Sequence, residues 1–191
     1  QKITYSGSII FRPKNQFKAD DWSMMNDSGA DQLFTGIESF DEQVRHHMGK
    51  KFNDTDLRWN LEQCLKHNIQ VSGTLIVGYP TETEDSIKRS KIWLKENTKY
   101  QKILKLSFGG TMMITPGTWL DLHKHELGVE NTGHPYWKWT CTKNGSTPAK
   151  RVAWLRELRT YANDLGWNVN NDQIENEAIL DRIVAPDKAT Q

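Results

Sequence analysis

Three short stretches of the chain carry residue types that could contact a small molecule. Each lies where an apolar, strand-like run gives way to polar residues: Gly-Ile-Glu-Ser at 36–39, Ile-Val-Gly-Tyr-Pro-Thr-Glu-Thr at 76–83 and Thr-Pro-Gly-Thr at 115–118. Loops at the C-terminal ends of parallel strands are where α/β folds place their ligands. The three stretches therefore predict one shared binding pocket.

The chemistry of these stretches suits a nucleoside. Glu38 ends a predicted strand, where a carboxylate can accept hydrogen bonds from both hydroxyls of a ribose. Gly78 lets the backbone approach a flat ring closely, and the turn at Pro116 and Gly117 presents backbone groups to a ligand edge. Taken singly, a strand-end glutamate is often a solvated or capping residue, and both glycine loops also fit ordinary turns.

The elements that would position these loops alternate between strand and helix. Short runs of apolar or β-branched residues predict strands at 3–11, 31–38, 70–78 and 103–114. These runs mostly lack a clean alternation, which is typical of buried parallel strands. With amphipathic helical stretches between them, they predict a parallel sheet of right-handed βαβ units.

Capping signals set the predicted helix starts. Ser39 with Glu42, and Thr81 with Glu84, have the spacing of capping boxes, and Thr55 can cap the helix between them. After residue 120 the alternation stops, and 121–146 is predicted to be rich in loops. A further helix then begins at Thr147-Pro148 and ends near Gly166.

The composition excludes some classes of partner. The chain has 191 residues and a net charge of +1, so it has no global field that would attract nucleic acid or an anionic membrane. No apolar run approaches the roughly 18 residues of a membrane helix, and no signal peptide is visible. The two cysteines, Cys64 and Cys141, form no framework, which fits a reducing, cytoplasmic setting.

The order and spacing of the stretches resemble the radical S-adenosylmethionine (SAM) superfamily over roughly residues 3–120. The match is closest to the branch that includes cobalamin-binding radical enzymes and methylthiotransferases. It rests on Thr-Gly-Ile-Glu-Ser at 35–39, His-Met-Gly-Lys-Lys at 47–51, Val-Gly-Tyr-Pro-Thr-Glu-Thr-Glu-Asp at 77–85 and Pro-Gly-Thr at 116–118. The resemblance implies an α/β fold: strands three to six of a partial (β/α)6 TIM-like barrel at 1–120, then a loop-rich and helical C-terminal extension at 121–191.

The resemblance also implies SAM contacts residue by residue. Glu38 would bind the ribose, Lys50 the methionine carboxylate, and the strand end at 76–78 the adenine. The Pro-Gly turn would line the far side of the adenine. The residues implied to bind the cofactor are Arg12, Glu38, Ser39, Lys50, Ile76, Val77, Gly78, Pro116 and Gly117. The first position of the adenine motif, usually glycine in the family, is Thr74 here.

A radical SAM enzyme also needs a Cys-x3-Cys-x2-Cys loop that holds a 4Fe-4S cluster. Cys64 and Cys141 cannot supply it. In the family this loop follows the first strand, so we expect the ligands upstream of Gln1, in a missing N-terminal part of a longer parent. The parent would also need a reductant protein, and cobalamin is left open as a further cofactor. This stretch alone is expected to cleave no SAM.

Two other functions compete with the enzyme. One is a non-catalytic nucleotide-binding βα domain that lacks a cluster. The other is a phosphate- or sugar-binding barrel, against which the absence of a Gly-rich phosphate loop argues.

The histidines at 46–47 and 123–125 could suggest a metal site. Adjacent histidines on a helix point to different faces, and the His-x-His pair lacks a third ligand nearby in sequence, so no metal site is expected. The aromatic stretch 136–139 could stack nucleobases, but with this net charge we expect it to pack over the sheet.

Overall fold

The chain folds around a parallel sheet in the computed structural model, which describes residues 3–170 and 180–185. The strands are β1 Tyr5–Ser8, β2 Ala30–Glu38, β3 Gln70–Val77, β4 Leu104–Thr111, β5 Val129–Glu130, β6 Thr140–Cys141 and β7 Asn168–Val169. The main sheet has the order β1-β2-β3-β4-β7, and each neighbouring pair is parallel. Strands β5 and β6 form a separate antiparallel pair.

Helices connect these strands as the alternating pattern predicts. They are α1 Ala19–Ser28, α2 Glu42–His47, α3 Asp54–Lys66, α4 Glu84–Glu96, α5 Trp119–Leu122, α6 Lys124–Leu127 and α7 Pro148–Asp164. A 3₁₀ helix at Thr98–Lys102 leads into β4, and residues 180–184 are helical. The predicted α/β class with a parallel sheet is therefore confirmed.

One apolar core lies between the sheet and the helices. Alternate residues of β2, β3 and β4 are buried in it, namely Leu33, Ile37, Val71, Leu75, Leu104 and Leu106. They share the core with Trp22 of α1, Leu57 of α3, Trp93 of α4 and Leu155 of α7. The residues between them are more open, and Phe34 is 43% exposed. The sequence predicted strands that are buried on both faces. That prediction is wrong, because the described helices cover one face of the sheet and the other face is more exposed.

Several helices start at other residues than those predicted. The side chain of Asp41 caps α2, that of Asn53 caps α3 and that of Thr83 caps α4. Ser39, Thr55 and Thr81 were each predicted as caps and lie within two residues of the observed ones. Where several capping residue types stand close together, tertiary packing selects among them. The predicted start of α7 at Thr147, with proline in the first turn, is confirmed.

The residues after 120 pack onto the sheet. Helix α7 contacts β3, β4 and α4, and β7 adds a fifth strand beside β4. Trp139 is buried and its indole N–H donates to the carbonyl of Met112 at 3.0 Å. Trp139 thus packs in a second apolar cluster beyond the strand ends, with Tyr79, Ile114 and Leu120, while Trp137 packs against the main core. The division of the chain at residue 120 stays a prediction.

Candidate functional site

An open cleft of about 570 Å³ lies at the C-terminal ends of β2 and β3. Its lining residues come from both strand ends, from the end of α2 and the loop after it, and from the start of α5. They are Glu38, His47, Met48, Gly49, Lys50, Ile76, Tyr79, Met112, Trp119 and Leu120. The cleft therefore brings together Glu38, Lys50 and Ile76, three of the nine residues predicted to bind a cofactor.

Glu38 and Lys50 form an ion pair in this cleft. The Lys50 Nζ lies 3.0 Å from Glu38 Oε1, and both side chains are largely shielded from solvent. Glu38 Oε2 is buried and has no hydrogen-bond partner among the described residues. This carboxylate therefore has an oxygen without a hydrogen-bond partner beside a cation, and a hydroxyl-bearing ligand could use it once the Glu38 side chain turns towards the cleft.

Backbone geometry at the end of β2 sets the position of this carboxylate. The pairing of β2 with β3 shifts register between Gly36 and Glu38, and Glu38 has φ +68°. A Cβ atom on Gly36 would lie 2.1 Å from Glu38 Oε1 and 2.9 Å from Lys50 Nζ. The ion pair thus lies directly over Gly36, and any larger residue there would displace the ends of both side chains.

Glu82 holds the turn that follows β3. Its buried carboxylate accepts a hydrogen bond from the backbone N–H of Gly78, where φ is +91°. Burial raises the pKa of Glu82 to about 7, against the lowering effect of the Gly78 hydrogen bond, and the nearby Asp41 raises it further. Glu82 therefore fixes the turn between β3 and α4.

Gly78 is covered by helix α7. A Cβ atom on Gly78 would lie 2.2 Å from Arg151 Cδ, so the arginine stem rests on the glycine backbone. The Arg151 guanidinium is buried and donates to the carbonyls of Trp137 and Trp139 at 2.6 and 2.9 Å. Arg151, rather than a ligand, occupies the space that the absent side chain leaves open.

The remaining predicted residues lie away from the cleft lining. The Ser39 hydroxyl is buried and accepts from the Asp41 N–H at 3.1 Å, and Val77 is buried in the core. Pro116 and Gly117 are exposed. Arg12 is exposed, and its carbonyl accepts from Asn60 Nδ2 at 2.9 Å. Ser39 and Val77 line a small buried pocket beside Glu38 and Ile76, on the core side of the strand ends. Arg12, Gly78, Pro116 and Gly117 line neither that pocket nor the open cleft.

Sequence reasoning missed the aromatic and apolar walls of the cleft. Tyr79, Met112 and Trp119 line it, and the Tyr79 hydroxyl donates to the His47 carbonyl at 3.0 Å. Burial raises the pKa of Tyr79, so it remains a neutral donor. The signal was available in the sequence, because Tyr79 follows Gly78 and Trp119 follows the Pro-Gly-Thr turn.

The described residues do not fit an iron–sulfur cluster. Cys64 and Cys141, the chain's two cysteines, are both buried. Cys64 lies in the main core, and Cys141 lies in a second apolar cluster with Val129 and Trp139. Burial raises the pKa of Cys64, which disfavours the thiolate that iron requires. No group of three His, Cys, Asp or Glu suited to a metal occurs within residues 3–170 and 180–185.

Comparison with known proteins finds a similarity of fold. No family model and no curated protein sequence matches the chain. Among solved structures, the chain is similar to the radical SAM methyltransferase TsrM from Kitasatospora setae, determined with cobalamin and a [4Fe-4S] cluster bound. The TM-score is 0.51 at 12% identity, over 76% of this chain and 29% of the TsrM chain. In the described part of this chain, no helix is long and apolar enough to cross a membrane.

Proposed function

We propose that this chain supplies the ribose-, adenine- and carboxylate-contacting side of the SAM site of a radical SAM enzyme with a partial (β/α)6 barrel. The observation that carries the proposal is the Glu38–Lys50 pair, with its unused carboxylate oxygen, in a cleft at the ends of parallel strands. The fold similarity to TsrM supports the same assignment.

The two charges suit the two polar ends of SAM. A carboxylate accepts from vicinal hydroxyls, and an ammonium pairs with the methionine carboxylate. In the unliganded pair each group neutralises the other, so the two charges can remain largely shielded from solvent. SAM would place its ribose hydroxyls beside Glu38 and its carboxylate beside Lys50. The ion pair between the two side chains would then be replaced by two contacts with SAM.

The cluster must come from residues other than these. A 4Fe-4S cluster supplies the electron that cleaves the sulfonium of SAM, and the cysteines of this chain do not fit it. In this proposal the chain binds and orients the nucleoside, while the rest of the parent holds the cluster, receives electrons from a reductant protein and contacts the substrate. Cobalamin would also be held by the rest of the parent.

Binding of SAM tests the two charges. Calorimetric titration of the 191-residue chain should show weaker binding for Glu38→Gln and for Lys50→Ala by about tenfold or more each, since each loses a charge-assisted hydrogen bond. Glu38→Gln should weaken adenosine as well as SAM, whereas Lys50→Ala should weaken only ligands that carry the methionine carboxylate.

Lys51→Ala is the matched control. Lys51 is the exposed neighbour of Lys50 and lies outside the lining of this cleft. The Lys51→Ala variant should bind SAM with the affinity of the unmodified chain. Equal affinity of all four proteins for SAM would contradict the proposed site.

An assay of SAM cleavage distinguishes the activity of this chain alone from the activity proposed for its parent. After iron and sulfide reconstitution under a strong reductant, the chain alone should release no 5′-deoxyadenosine, measured by liquid chromatography and mass spectrometry. Release of 5′-deoxyadenosine would show that residues of this chain hold a competent cluster and would overturn the division of roles.

A non-catalytic nucleotide-binding domain is the second candidate. It would use the same Glu38–Lys50 cleft without a cluster. The sequence encoded upstream distinguishes the two, because a Cys-x3-Cys-x2-Cys loop there supports the enzyme and its absence supports the binding domain.

A further inference from the structure

Trp119 is a large aromatic side chain left open at the cleft. It begins helix α5 and is 56% exposed, although most tryptophans of this chain are buried in or against the core. It lines the same cleft as Glu38 and Lys50. An exposed indole in an open cleft offers a flat apolar surface that a ligand can cover.

The indole is held in a fixed position. The imidazole of His123 stacks on it with ring centres 4.3 Å apart and planes 18° apart, and His123 Nδ1 lies 2.8 Å from the Trp119 carbonyl. The turn before it is also fixed, since the Gly117 N–H donates to Asp121 Oδ2 at 3.0 Å. A ring that is already ordered loses little freedom when a ligand stacks on it.

Of the residues expected to contact adenine, Ile76 lines this cleft and the others do not. Arg151 covers Gly78, Val77 is buried in the core, and the Pro116–Gly117 turn does not line the cleft within the described part of the chain. The apolar surface that does line it comes from six side chains, namely Met48, Ile76, Tyr79, Met112, Trp119 and Leu120, and Trp119 is the most exposed of the aromatic ones.

We propose that Trp119 is the stacking residue for the purine ring of the ligand whose ribose Glu38 binds. This inference rests on the proposed function and deepens it. The nucleoside would extend from the Glu38–Lys50 pair towards α5, with the base against the indole face that His123 does not cover. Pro116 and Gly117 then act by fixing the turn that presents Trp119.

Adenosine, SAM and methionine are the probes, titrated calorimetrically into the full chain and into Trp119→Ala and Trp119→Phe. Trp119→Ala should weaken adenosine and SAM by about tenfold, because base stacking on an aromatic side chain contributes this much. Methionine binding should not change. Trp119→Phe keeps an aromatic face and should retain most of the affinity. Leu122→Ala, also exposed on α5 and outside the cleft lining, is the control and should behave as the unmodified chain.

Two results overturn the stacking role while the proposed function stands: adenosine binds Trp119→Ala as tightly as the unmodified chain, or Trp119→Phe is as weak as Trp119→Ala. If the unmodified chain binds neither adenosine nor SAM, the proposed function fails, and this inference fails with it. Thermal unfolding of each variant confirms that the exposed substitution leaves the fold intact.

Discussion

Replacing Arg151 with alanine should lower the free energy of unfolding by about 4 kcal/mol. The side chain is buried, stacks 3.7 Å above the ring centre of Trp139, and donates to two carbonyls and to the Ser146 hydroxyl. Alanine would leave those acceptors without a donor and would open a void over Gly78. Urea unfolding monitored by far-UV circular dichroism measures the change.

A second arginine of α7 provides the control. Arg156 is about half-exposed and pairs with Asp181 at 2.7 Å, so Arg156→Ala should cost well under 1 kcal/mol. Arg151→Met keeps an apolar stem against Gly78 and loses the donors, so its stability should lie between those of Arg151→Ala and the unmodified chain. A loss for Arg151→Ala no larger than that for Arg156→Ala would show that the buried guanidinium contributes nothing.

The ionisation of Glu82 should make folding stability fall as the pH rises. Burial raises its pKa from 4.5 to about 7 in the folded chain, so between these values the folded state holds a proton that the unfolded state has lost. Stability from this group is therefore full below pH 4.5, declines up to about pH 7 and is constant above. The total decline is about 3 kcal/mol.

Glu82→Gln isolates this contribution. Glutamine keeps the shape and an acceptor for the Gly78 N–H but does not titrate. The stability of the variant relative to the unmodified chain should thus improve by about 3 kcal/mol between pH 4.5 and pH 8, measured by urea unfolding at each pH. Glu84→Gln, at the exposed first residue of α4, is the matched control. Parallel pH profiles for Glu82→Gln and the unmodified chain would contradict the raised pKa.

Short sequence patterns predicted where the strands end better than they predicted the contacts made by the residues at those ends. The alternation of strands and helices, and the placing of Glu38 and Ile76 at strand ends, follow from patterns within a few residues. Lys50 was predicted as a binding residue from the motif resemblance, and it lies in the cleft with Glu38. These positions depend on chain direction and strand pairing, which short sequence patterns carry.

The rest depends on packing between distant parts of the chain. Gly78 has the properties of a ligand-contact glycine in sequence, but Arg151, which lies far along the chain, rests on it. No local pattern indicates that partner, because a run of Lys and Arg on a helix is usually solvated. The single covered face of the sheet was missed for a related reason, since β-branched runs do not show which side the helices cover.

The left-handed backbone at Glu38 has a consequence for selecting more stable variants. A residue with a Cβ atom at φ +68° costs roughly 1 kcal/mol, and glycine or asparagine removes part of that cost. A library screened only for thermal stability would therefore enrich substitutions at this position. The survivors would fold well and lack the carboxylate of the cleft, so tolerance to heat and the proposed binding of a nucleoside would be selected in opposite directions at one residue.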